Sequence, residues 1–142
     1  MSENYDYEIF EHTADIGIIV RGKTIEELFE KAAYAMFDLM VDAEKIESAG
    51  KYRVELSAQD LEDLVVDWLS ELLYVFTTEL FVMGDFNVWI DKVGEEYALK
   101  AICLGEPYKK DKHGIKMEIK AVTYHELEIN LEKGYLKVLF DI

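Results

Sequence analysis

Tyr5-Asp6-Tyr7-Glu8-Ile9-Phe10-Glu11-His12-Thr13-Ala14-Asp15-Ile16-Gly17-Ile18-Ile19-Val20-Arg21 decides the fold class. Its two ends, Tyr5–Phe10 and Ile16–Arg21, carry apolar residues at strand spacing. Between them sits a polar cluster containing His12, Thr13 and Asp15. Such residues make poor core, because an Asp is almost never fully buried without a partner. The cluster reads either as a hairpin corner, with Asp15 and Thr13 bonded to local backbone, or as part of a site.

Working outward, Gly22-Lys23 turns the chain and Thr24-Ile25-Glu26-Glu27 forms a capping box. A helix is expected over 25–41, its buried stripe running through Ile25, Leu28, Phe29, Ala32, Met36 and Leu39. Lys51–Leu56 alternates as a strand. Ser57, with Asp60 three residues on, is expected to start a second helix over 59–81. Its acids are mostly a solvated face, but Asp67 and Glu71 stand at i,i+4, where like charges repel. They are candidates for contact with a basic partner. Beyond Gly84 the pattern is β: strands over 86–91, 97–103, 115–122, 127–131 and 135–141, with a solvated or phosphate-facing loop over 105–114.

The element order is therefore ββαβα followed by five strands. Short turns make neighbouring strands antiparallel. The expected fold is α+β: two helices packed on a largely antiparallel, twisted sheet, split in two or curled. The chain is one domain's worth, 142 residues, and 51% hydrophobic.

With 15 basic and 30 acidic residues the net charge is −15. A surface this acidic repels phosphate backbones, which argues against tight direct nucleic-acid binding. Cys103 is the single cysteine, so no internal disulfide forms. The acidic start lacks the pattern of a signal peptide, and no apolar run has membrane length. A cytoplasmic protein with no membrane partner is the expectation.

No Gly-rich phosphate loop, paired-Cys zinc pattern or Gly-x-Ser-x-Gly elbow occurs. His12 and His125 lie in β-rich stretches beside polar groups. Asp141 ends an apolar strand, and Ile142 follows it with a carboxylate. If the corner at Asp15 lies near this end, Asp15, Asp141 and that carboxylate present three hard oxygen donors. Such a set suits Ca²⁺ or Mg²⁺, with Mn²⁺ as a further candidate, rather than Zn²⁺. An ordinary frayed terminus is the competing reading.

Glu11–Gly17, the helix Leu61–Tyr74, Gly105-Glu106-Pro107, Glu118-Ile119-Lys120-Ala121-Val122-Thr123-Tyr124-His125 and the ending Val138-Leu139-Phe140-Asp141-Ile142 together resemble the archease family. The resemblance runs the length of the chain. It implies a small metal-binding accessory protein of tRNA processing. The implied partner is the tRNA-splicing RNA ligase, whose active-site histidine becomes guanylylated. An alternative implied role is chaperone-like, toward a tRNA cytosine-5 methyltransferase. The family's metal site falls on Asp15, Asp141 and Ile142, with His12, Lys120 and His125 as functional neighbours. A free-standing metal-dependent hydrolase using Asp15, Asp141, His12 and His125 is a third reading.

Overall fold

The computed structural model describes residues 6–12 and 14–142, and the side chain of His12 is outside the described set. The expected start of the first strand at Tyr5 and the hydrogen-bonding role of Thr13 also lie outside it. The elements are β1 (Tyr7–His12), β2 (Asp15–Arg21), α1 (Ile25–Met40), β3 (Gly50–Ala58), α2 (Leu61–Glu79), β4 (Phe81–Val93), β5 (Glu96–Pro107), α3 (Lys110–His113), β6 (Ala121–Val122), β7 (Glu128–Asn130) and β8 (Tyr135–Asp141). The strands form two antiparallel sheets. One has the order β1-β2-β8-β6 with β7 also on β8, and the other the order β3-β5-β4. The expected α+β class and element order hold, and α3 is an addition.

Helix α1 contacts β2 of the first sheet and β4 of the second, so its apolar surface is wide. Leu28, Phe29, Ala32, Ala33, Met36 and Phe37 are all buried. The Thr24 hydroxyl accepts from the Glu27 N–H at 3.1 Å, while Glu27 accepts from the Lys23 N–H at 2.7 Å. That is the expected capping box, with Glu27 reaching back one residue beyond the cap, to Lys23 and not Thr24. Trp68 of α2 is fully buried, and its indole N–H donates to the Phe29 carbonyl at 3.0 Å. A buried polar atom without that partner would be costly. The outer edge of β4 is finished by α1: the Val88 N–H donates to Glu30 at 2.9 Å and the Ile90 N–H to Glu26 at 3.4 Å.

Three expectations are corrected. Asp60, not Ser57, caps α2, accepting from the Asp63 N–H at 2.8 Å. Ser57 lies inside the β3 ladder opposite Ala98 and so belongs to the strand. The expected strand over 115–122 shrinks to Ala121–Val122, because the chain first crosses the end of α1, where the Lys116 N–H donates to the Met40 carbonyl at 2.7 Å. Met117 and Ile119 turn inward between exposed neighbours, which gives the alternation, while Ile115 and Ala121 at the same phase stay exposed. Finally, 105–114 is not a solvated tip. Gly105 and Glu106 belong to β5, and Glu106 and His113 are buried. A Cβ on Gly105 would stand 1.9 Å from the Val82 carbonyl oxygen, so only glycine fits.

Candidate functional site

Asp15 begins β2 and Asp141 ends β8, and the register sets them directly opposite each other. Directly opposed residues in an antiparallel pair share a face, with Cβ atoms about 5 Å apart, where like charges destabilise. The face is the outer one, since Ile16, Ile18, Leu136, Val138 and Phe140 fill the inner one. Asp15 also closes the β1–β2 hairpin opposite His12. The next residue back, Ala14, has φ 63°, a left-handed backbone uncommon outside glycine. The Ile142 N–H donates to the Ala14 carbonyl at 3.4 Å, which pins that residue against the hairpin corner.

The signature segment reaches the same end. The Lys120 N–H donates to the Asp141 carbonyl at 2.7 Å, and Ala121 lies opposite Asp141. His125 Nδ1 stands 3.9 Å from Asp15 Oδ2, and its Nε2 stands 3.9 Å from Glu126 Oε2. Glu126 has φ 55° and pairs with Lys137 at 3.0 Å. The Lys137 ammonium sits 5.0 Å from the centre of the Phe10 ring. That ring lies across Gly17, where a Cβ would meet it at 2.1 Å. Gly17 is therefore a seat for Phe10 on the face that carries the two aspartates.

Asp15, Asp141, Ile142, Lys120 and His125 are thus brought to one end of the first sheet. The two acids of α2 divide. Asp67 is exposed, whereas Glu71 accepts from the Tyr52 hydroxyl at 2.7 Å and faces β3. That hydrogen bond, together with burial, pushes the Tyr52 hydroxyl up to about 12.

Sequence reasoning missed a second polar cluster. Glu106, only 5% exposed, accepts from Lys112 Nζ at 2.8 Å, the Glu47 N–H at 2.9 Å and His113 Nε2 at 2.8 Å. Those donors, Lys112 first, hold its carboxyl down at about 2. His113 Nδ1 accepts from the Lys109 N–H at 3.0 Å, so the ring is closed at both nitrogens. The Tyr108 ring stacks on it at 5.8 Å. The available signal was an acid and a histidine on either side of the chain's single proline. This cluster holds the segment that leads into Lys120.

No group of three or more His, Cys, Asp and Glu side chains capable of holding a metal occurs among the described residues. The oxygen donors at the Asp15 end are instead two carboxylate side chains and the main-chain oxygen of Ile142. Two opposed carboxylates ease their repulsion by sharing a cation, and an all-oxygen set fits Ca²⁺ or Mg²⁺. The donor chemistry therefore fits the implied ion.

The model of the Archease protein family matches residues 7–142. The chain belongs to the archease family. Archeases similar to it include that of Methanosarcina mazei, 44% identical and covering 99% of each chain. That of Pyrococcus furiosus is 44% identical over 87% of each. That of Sulfolobus acidocaldarius is 40% identical, covering 96% of this chain and 98% of its own. The solution structure of Methanobacterium thermoautotrophicum protein 1598 is similar with a TM-score of 0.82 and 37% identity, covering 97% of this chain and 99% of that one. Among the described residues of this archease, no helix is long and apolar enough to cross a membrane.

Proposed function

We propose that this archease is a cytoplasmic accessory protein of tRNA processing that promotes guanylylation of the active-site histidine of a tRNA-splicing RNA ligase, and is not itself an enzyme. The observation that carries this reading is the opposed pair Asp15–Asp141, with Lys120 tied by its backbone to Asp141. Asp15, Asp141 and Ile142 would hold the divalent cation, Ca²⁺ or Mg²⁺. When bound, such an ion neutralises and polarises phosphoryl oxygens. The chain's own part is to present that acidic end and Lys120 to the ligase. A negative helper docks on an enzyme that is basic where it holds RNA, and does so without competing for RNA.

A hydrolytic site at Glu106 and His113, apart from the hydrolase reading on Asp15, Asp141, His12 and His125, is disfavoured on a specific point. The Glu106–His113 pair looks like an acid–base dyad, but its ring is buried and both nitrogens are engaged. The test is guanylylation of the ligase with radiolabelled GTP, with and without this chain, beside calorimetric titration of Ca²⁺ and Mg²⁺. We expect stimulation and cation binding by the native chain, and neither by Asp141→Ala. Stimulation by an Asp141→Ala chain that binds no cation would remove the ion from the function.

A further inference from the structure

Helix α2 and the segment 119–124 run side by side, and a groove of about 300 Å³ lies between them. Leu73, Ile119 and Val122 give it an apolar lining, and Ser70, Tyr74 and Thr77 form the helix wall. Tyr74 is 60% exposed, and Tyr124, farther along the same segment, is 55% exposed. Two large aromatic rings at the surface beside an apolar trough are the material of a binding anchor rather than of a core.

The groove has direction. One end lies at Lys120 and Ala121, which are tied to Asp141 by backbone bonding and register. Along the helix toward its start, the rim becomes acidic. Asp63 accepts from the Tyr124 hydroxyl at 2.6 Å, and Asp67 and Asp60 also act on that hydroxyl. Glu62 and Asp67 are exposed, and among the described residues no Lys or Arg pairs with Glu62, Asp63 or Asp67. Charge therefore selects a cationic occupant and rejects nucleic acid. The groove is continuous with the end that carries Asp15 and Asp141.

We infer that the groove between α2 and residues 119–124 seats an apolar or aromatic side chain from a segment of a basic protein partner, whose flanking Lys or Arg residues reach Asp63 and Asp67. The inference rests on the accessory reading and names the surface through which it operates. Docking there brings the partner alongside the Asp141 end. An anchoring side chain in a desolvated trough, ringed by charge, is the usual form of a hot spot.

The test is the dissociation constant of the tRNA-splicing RNA ligase from this chain, by fluorescence anisotropy, for Thr77→Trp, which fills the groove from its rim, and for Asp67→Lys. Calcium titration and thermal unfolding on the same samples check that the Asp15–Asp141 end and the fold are intact. We expect each variant to weaken binding about tenfold, and the loss with Asp67→Lys to shrink in high salt. A benzoylphenylalanine at Tyr74 should crosslink to a ligase peptide bearing an apolar residue beside Lys or Arg. If both folded variants bind the ligase as the native chain does, or Tyr74 crosslinks only to a second copy of this chain, the groove assignment is wrong and the accessory reading stands. If the native chain neither binds nor stimulates the ligase, both fall.

Discussion

Replacing Glu106 by Gln tests whether the charge of the buried cluster, and not its packing, holds the 105–114 segment. Glu106 is held at about 2 against an ordinary 4.5. Such a shift corresponds to about 3 kcal/mol, at about 1.4 kcal/mol per unit. The Lys112 end of the cluster is open, with its side chain 30% exposed, so solvent screening reduces the effect to roughly 1.5–2 kcal/mol. The sign follows from a lowered pKa. The stabilisation is complete above about 4.5, drains as pH falls toward about 2, and is absent below that. Urea unfolding of native and Glu106→Gln chains at several pH values reads the gap between them. We expect about 1.5–2 kcal/mol near pH 7, falling by at least half near pH 3. A gap that stays constant across that range would refute the reasoning, because lost packing does not titrate.

Further outcomes are expected. Lys120→Ala should fold as the native chain and stimulate the ligase less; unchanged stimulation would reduce Lys120 to one more surface lysine. Gly105→Ala should cost about 3 kcal/mol in urea unfolding, because its Cβ meets backbone at 1.9 Å and not a movable side chain. A change under about 0.5 kcal/mol would mean that the two strands separate easily. A chain extended beyond Ile142 should keep its unfolding midpoint and lose calcium binding; calcium bound as tightly as by the native chain would exclude the terminal carboxylate from the ion's shell.

The parts of the fold that sequence reveals are those set by local chemistry. Thr24 and Glu27 announce α1, and alternation announces β2 and β8, because capping and burial periodicity act within a few residues. Ser57 misled because a capping residue type is only a candidate until the strand before it ends. Residues 115–120 misled because alternation records which side chains are buried and not where the backbone bonds go. At the candidate site, Asp15 and Asp141 were nameable but their meeting was not, since register between distant strands is a tertiary fact. Glu106 and His113 were hidden for a related reason: charged residues in a polar loop read as solvated until their partners are known, and one of these, the Glu47 N–H, lies far away in sequence.

The pairing of β2 with β8 has a kinetic consequence. It joins Asp15–Arg21 to Tyr135–Asp141, nearly the whole chain apart in sequence, whereas β4 and β5 meet across a tight turn at Gly94. Closing a long loop carries an entropic cost that only later contacts return, so the short hairpin is expected to condense before the long pairing. The opposed aspartates lie on that later ladder. Any species in which β2 and β8 have yet to pair lacks the two-aspartate end. The end that this archease would present to a ligase then comes into being only in the finished molecule, and a helper that is still half folded has nothing to offer there.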